Sequence, residues 1–158
     1  MVRDMTRNQL TEHLLGREIS VRFVSIREAV RLHDQSIIDV GGLLGVRDAA
    51  LLESALHRPM QQCLYDETTD LCVLAASLAD AVVQNHAFLD GNKRTAFLCA
   101  VLFLEKNGVV FQPDVADAVE WFRKLANHET DALATATWIE ANSGDPLLLD
   151  QDESYGLR

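Results

Sequence analysis

The stretch DLCVLAASLADAVVQNHAFLDGNKRTAFLCAVLFLEKNG, residues 70–108, decides the fold. A helix is predicted from Thr69, just before it, to about Asn85, since this run is rich in alanine and leucine and keeps Leu71, Leu74, Leu78 and Val82 at three-to-four spacing. The few polar groups in it predict burial on several sides. A second apolar helix is expected from about Asn92 to Lys106, with Phe97, Val101 and Leu104 along one face and Leu98 and Leu102 beside it, stopped at Asn107-Gly108. These two helices are the expected centre of the core. Between them lies HAFLDGNKRT, residues 86–95, where a turn of almost any composition would join two apolar helices. Its cluster of polar and ionisable side chains therefore needs another explanation.

Outward from this centre the elements read as helices. Ser25 with Glu28 three positions on matches a capping box, Val24 could staple it, and a helix from about 26 to 35 follows. Gly41, Gly42 and Gly45 force a turn. RDAALLESALH, 47–57, reads as a helix ending near Pro59, because the residue before a proline is pushed out of the α region. MQQCLYDE, 60–67, reads as an extended segment or small hairpin. A helix from about Asp114 to Asn127 would place Val115, Val119 and Phe122 inward, and one from about Thr130 to Ala141 would do the same for Leu133, Ala136 and Trp138 or Ile139. A short helix over 5–16 could begin at Thr6, with Leu10, Leu14 and Leu15 on one side, and the acidic stretch after residue 143 should end loosely. The expected fold is an all-α bundle with very little β-structure. Its expected organisation is an arm at 1–21, a helical domain at 22–143 and a tail at 144–158.

Composition bounds the function. With 158 residues, one core is the default, and an apolar fraction of 48% suits an ordered globular chain. A net charge of −10 without a basic stripe argues against a non-specific grip on nucleic acid. Cys63, Cys72 and Cys99 cannot all pair and show no CxxC spacing, so they read as reduced thiols. No apolar run reaches the roughly 20 residues of a membrane span and no signal peptide is seen, so the expected location is the cytoplasm.

The loop's chemistry follows from its residue types. A helix starting near Asp90 to Asn92 leaves its first amides unpaired at the positive end of the helix dipole, which suits an anion. Gly91 allows close approach to the backbone, and Lys93 and Arg94 add a point charge and a planar fork for phosphate oxygens. Asp90 could hold Mg²⁺ bridging a polyphosphate, and His86 could take a proton from an attacking hydroxyl. Together these make a phosphoryl- or nucleotidyl-transfer site, and the residues alone do not say which phosphorus is attacked. Taken singly, each has a plainer role: His86 as a surface or capping residue, Asp90 and Asn92 as ordinary caps. Phe88 is assigned to packing, and Thr95 to a bond with the backbone. Lys93 and Arg94 oppose the helix dipole, which favours a nearby anion as their reason.

The order H-x-F-x-D-G-N-K-R, read as His86, Phe88, Asp90, Gly91, Asn92, Lys93 and Arg94, resembles the signature of the Fic/Doc superfamily. GGLLGVRDAALLESALHRP and FLEKNG resemble segments of its Doc members, and the similarity spans about residues 22–127. AMP-transferring Fic enzymes typically carry glycine where this chain has Lys93 and a second arginine where it has Phe97, so both departures resemble the Doc form. That resemblance implies a kinase transferring the ATP γ-phosphate to a threonine or serine of a protein, elongation factor Tu being the known target of Doc toxins, and so stopping translation. His86 would be the base, Asp90 the Mg²⁺ ligand, and Gly91, Asn92, Lys93 and Arg94 the nucleotide binders. It further implies a flap that aligns an extended target segment, for which 60–66 is the candidate, and a separate inhibitory antitoxin of the Phd type. The [ST]-x-x-x-E-[GN] inhibitory sequence of some Fic proteins is absent from this chain. Alternatives are AMP or other nucleotidyl transfer and a non-enzymatic anion-binding module. The terminal segments could also mediate homo-oligomerisation.

Overall fold

The computed structural model describes residues 21–144. Along them run α1 (Ile26–Val40), α2 (Ala49–Tyr65), α3 (Leu71–Asn85), α4 (Asn92–Lys106), β1 (Val110–Phe111), α5 (Val115–Ala126), α6 (Ala132–Ala141) and β2 (Ser143–Gly144). The expected helix at 5–16 and most of the expected tail lie outside the described residues.

Helix α3 is the hub, and its sequence explains why. Leu74 to Ala79 and Ala81 to Val83 are all buried, and a helix apolar all round needs neighbours on every side. α2, α4 and α6 pack against it. Its alanines let these neighbours approach closely, while Asp70 caps its start by accepting from the amides of Cys72 and Val73. α4 faces α3 with a stripe of mostly small residues, Ala96, Cys99, Ala100, Phe103 and Leu104, all buried. Of the expected stripe, Leu104 is fully buried, while Phe97 and Val101 are partly buried and pack against the core. Phe97 lies at the edge of that core, 5.9 Å from Phe111 and 5.6 Å from Phe122 between ring centres.

The capping box that opens α1 is present, with Ser25 and Glu28 bonding reciprocally. Lys106, at the far end of α4, reaches the same corner and donates to both Glu28 carboxylate oxygens at 2.8 Å and to the Phe23 carbonyl at 2.9 Å. Burial pushes the Glu28 carboxyl up, but the bonds from Lys106 and Ser25 outweigh it and hold it below the usual carboxylate value.

Helix α2 corrects two expectations. It does not stop near Pro59 but continues to Tyr65, so residues 60–65 are helical rather than an extended flap or hairpin. Pro59 lacks the N–H that would bond Ala55, a loss of roughly 3 kcal/mol in an ordinary helix interior. Leu52, Ala55, Leu56, Pro59 and Cys63 nevertheless form one buried stripe, and packing of that stripe onto α3 carries the helix past the break. The β-structure lies elsewhere: β1 and β2 pair antiparallel, Val110 opposite Gly144 and Phe111 opposite Ser143.

Two facing predictions also shift. Val115 (77% exposed), Val119 (67%) and Leu133 (76%) point outward, whereas Ala118, Phe122 and Leu125 line the inner face of α5 and Thr135, Ala136 and Ile139 that of α6. Trp121 and Trp138 stack with ring centres 5.1 Å apart, and the Trp121 indole donates to the buried Thr135 hydroxyl at 3.0 Å. Cys63, Cys72 and Cys99 are all free.

Candidate active site

Residues 86–91 bridge the C-terminus of α3 and the N-terminus of α4, so both helix ends meet at the loop. His86 is the C-cap of α3 in the left-handed conformation, φ 48° and ψ 46°, a geometry that ends the helix and turns the chain sharply. Its carbonyl accepts from Arg47 Nε at 2.7 Å, and the neighbouring Asn85 carbonyl accepts from Arg47 Nη2 at 3.3 Å. Arg47 thus places a cation on the negative end of α3. The His86 side chain is exposed and has no hydrogen-bond partner among the described residues. Backbone and ring are separated in role: the first is pinned, the second presented.

Phe88 anchors the loop. It is 1% exposed and stacks on His33 of α1, ring centres 3.9 Å apart and planes within 8°. Its amide donates to Asn92 Oδ1 at 3.0 Å, and its carbonyl accepts from Asn92 Nδ2 at 2.9 Å. Asn92 therefore acts on Phe88 as a neighbouring β-strand would, satisfying both backbone groups with one side-chain amide. That role differs from the plain helix cap that Asn92 would be if taken singly.

On the other side of the loop, residues 43–48 run alongside it. Leu89 donates to the Gly45 carbonyl at 3.1 Å, and Arg47 and Asp48 donate to the Ala87 carbonyl at 2.7 and 3.0 Å, enclosing an antiparallel bridge between Val46 and Phe88. Gly42 and Gly45 make this approach possible. A Cβ on Gly42 would lie 2.6 Å from Asp90 Oδ2, and one on Gly45 would lie 2.9 Å from Leu89 Cδ1. The glycine cluster that the sequence marks only as a turn is thus shaped around the motif.

Asp90 is held at both carboxylate oxygens. Oδ1 accepts from the Gly91 amide at 2.8 Å and Oδ2 from the Leu43 amide at 3.1 Å. Each oxygen keeps a further acceptor site, since a carboxylate offers about four in all. Gly91 is the N-cap of α4 at φ 76° and supplies no side-chain bond. By contrast Ser25, Asp48, Asp70, Asp114 and Asp131 cap the other five helices through their side chains. The first amides of α4 are left for another acceptor.

The two cations differ. Lys93 is exposed. Arg94 is partly buried, and its Nη1 donates to the Ser36 and Gly41 carbonyls, both at 3.1 Å, so it ties α4 to the end of α1 while Nε and Nη2 make no bond to a described residue. Thr95 departs from expectation: it is wholly buried, and its hydroxyl has no partner among the described residues. The structure therefore gathers His86, Asp90, Gly91, Asn92, Lys93 and Arg94 at one place. The sequence reading missed His33, Arg47 and the fit of Gly42. A histidine followed by an acid inside α1 was the available signal for the first, but nothing in the chain says that it faces the loop.

A surface cavity of about 440 Å³ between α2, α3 and α6, lined by Arg58, Gln62, Ser77 and Leu133 among others, contains none of the motif residues. Among the described residues no group of three or more His, Cys, Asp or Glu side chains could hold a metal ion by itself. No helix among them is long and apolar enough to cross a membrane.

Comparison with known proteins places these residues in context. The Fic/DOC family pattern matches residues 23–104, which span α1 to most of α4. The protein kinase doc of Escherichia phage P1 is 41% identical over 99 residues, covering 61% of this chain and 79% of that protein. The toxin Doc of Mycolicibacterium smegmatis is 41% identical over 98 residues, covering 60% of this chain and 75% of the other.

Proposed function

Because the chain belongs to the Fic/DOC family, we propose that it is a protein kinase of the Doc type, transferring the ATP γ-phosphate to a threonine or serine hydroxyl of a protein. Elongation factor Tu is the first target to try, and arrest of translation the expected consequence. One of the relatives is named a protein kinase and another a toxin. The observation that carries the reading is the start of α4, uncapped at Gly91 and bordered by Asp90, Lys93 and Arg94. An uncapped helix N-terminus beside two cations is a phosphate cradle in search of its anion.

In this reading His86 accepts the proton of the target hydroxyl, whose oxygen bonds to the γ-phosphorus as the bond to the bridging oxygen breaks and ADP leaves. The exposed His86 ring suits a substrate as large as a protein. Lys93 and the free donors of Arg94, with the amides at the start of α4, take the phosphate oxygens. Asp90 fits Mg²⁺: this hard cation usually takes one or two carboxylates and completes its shell with phosphate and water oxygens, so a single carboxylate with open acceptor sites suffices. When bound there with ATP, Mg²⁺ would neutralise phosphate charge. The extended segment 43–46, not 60–66, is the backbone positioned to align a target strand. Phe97 supports phosphoryl over AMP transfer, because its ring packs with Phe111 and Phe122 where AMP-transferring relatives carry an arginine. A Phd-like antitoxin as the inhibitory partner, a cytoplasmic setting and self-association through the terminal segments belong to the same proposal.

The test is incubation of the full chain with ATP and Mg²⁺, with elongation factor Tu or a cell extract, read by intact-protein mass spectrometry beside His86→Ala. A gain of about 80 Da that His86→Ala abolishes is expected, whereas a gain of about 329 Da would replace the reading with AMP transfer. ATP binding with no transfer to any protein would leave an anion-binding module.

A further inference from the structure

Helix α1 lies outside the motif, yet one of its side chains reaches into it. His33 is fully buried. Its Nε2 lies 2.8 Å from the Asp90 carbonyl oxygen, and its Nδ1 lies 3.0 Å from Asp34 Oδ1. A carbonyl can only accept, so Nε2 carries the donated proton. The ring is stacked flat on Phe88, and the place where a Cβ on Gly91 would sit is 3.7 Å from His33 Nε2. The imidazole is therefore wedged behind the turn formed by Asp90 and Gly91.

The consequence follows from the peptide unit. In a planar trans peptide the C=O and the next N–H point in opposite directions. When His33 draws the Asp90 carbonyl toward α1, the Gly91 amide must face the other way. That amide donates to Asp90 Oδ1 at 2.8 Å. The orientation of the carboxylate is thereby coupled, through one rigid plane, to a ring on another helix. Leu43 fixes the remaining oxygen. Neither Phe88 nor Asn92 can substitute for this bond, because neither reaches the Asp90 carbonyl.

We propose that His33 is a positioning residue that sets the Asp90 carboxylate for its divalent cation. The inference rests on the reading of Asp90 as the cation ligand. It goes further in assigning the control of that ligand to α1, a helix that contributes no residue to the motif. His33 touches neither nucleotide nor target, and acts only through the peptide plane.

The experiment measures Mn²⁺, an oxygen-seeking substitute for Mg²⁺, binding to the full chain in the presence of ATP, by the electron paramagnetic resonance of the free ion. The parent is compared with His33→Phe, His33→Gln and Asp90→Asn, with melting temperature recorded for each. Phenylalanine keeps the stack and loses the donor, whereas the glutamine amide can still donate. Losing the support behind a metal ligand typically costs about 10- to 100-fold in affinity, the loss expected for His33→Phe, with His33→Gln recovering most of it. A purely structural role would lower the melting temperature and leave Mn²⁺ affinity unchanged. Parent-like Mn²⁺ affinity in His33→Phe, with binding lost in Asp90→Asn, overturns the role of His33 and spares the site. Parent-like affinity in Asp90→Asn overturns the site reading and this inference together. The unmutated protein gives a check independent of any variant's folding: nitrogen-15 spectra must show a protonated Nε2 on His33 with slowed exchange, and a bare Nε2 refutes the coupling.

Discussion

Gly42→Ala separates damage to the site from damage to the fold, because Gly41→Ala next to it is a built-in control. Gly41 has φ 103° and Gly42 φ 128°, a region in which a side-chain-bearing residue costs roughly 1–3 kcal/mol at either position. The surroundings differ. A Cβ at Gly41 meets nothing within 4 Å, but one at Gly42 would lie 2.6 Å from Asp90 Oδ2 and 2.8 Å from Ile37 Cδ1. The carboxylate is the end of a movable side chain, so the clash resolves by turning Asp90 away from the Leu43 amide. Losing that charged hydrogen bond adds about 1.5–3 kcal/mol. Each kcal/mol lowers the melting temperature by about 2–4 °C for a chain of this size. The decisive difference is in activity: at a temperature where both variants are folded, Gly42→Ala should lose about 10- to 100-fold in ATP-dependent transfer relative to Gly41→Ala. Mass-spectrometric initial rates with matched melting curves make the comparison. Equal activity in the two variants would refute the claim that Gly42 is kept small for Asp90.

Three further outcomes follow from the geometry. Arg47→Ala removes the donors to the His86 and Asn85 carbonyls and should destabilise by about 1–2 kcal/mol in denaturant unfolding, with a fall in transfer that exceeds the change in fold. Lys106→Met should lower stability near neutral pH, most visibly in low salt. Because the folded Glu28 carboxyl sits below its usual value, its contribution is present above the unfolded carboxylate range and fades as pH falls through the folded value, so the parent and Lys106→Met stability curves should converge under acid titration. Burial pushes the Cys63 thiol up to about 11 and the Cys99 thiol up to about 12, so iodoacetamide at pH 8 should spare both in the native chain and label them only on unfolding. Partly exposed Cys72 should be the first of the three to react.

How much of this was legible beforehand depends on the range of the forces involved. The helix start at Ser25 and the stop after Lys106 are written in neighbouring residues, and the structure places them where those residues predict, whereas the sequence reading missed the Asp70 cap. Pro59 misleads because its penalty is local and visible, whereas the stripe Leu52, Ala55, Leu56, Pro59 and Cys63 gains from α3, which is distant in sequence. In α5 two stripes share Phe122, one through Val115 and Val119 and the other through Ala118 and Leu125. Both have helical spacing, and only the neighbouring helices select the second. Helix α6 is apolar on most sides, so periodicity could not orient Leu133. At the site, the residue types of the loop were legible, but their fastenings were not: His33 and Arg47 lie 57 and 39 positions from their partners in sequence.

Those fastenings bear on what the loop can do. Phe88 is buried against His33, its backbone is satisfied by Asn92, and residues 43–48 bond its neighbours Ala87 and Leu89. These contacts hold the main chain of 86–91 and leave the His86 ring, the Lys93 amine and the first amides of α4 uncommitted. A loop ordered only by its ligand would lose binding free energy to its own ordering, while one held from behind does not. Rigid backbone with open groups suits the substrate proposed above, a folded protein that cannot wrap into a deep pocket. The same arrangement explains why Arg94 divides its donors. Nη1 anchors the start of α4 to the end of α1, so a guanidinium that could otherwise swing is fixed at one corner, with its other nitrogens left for an anion.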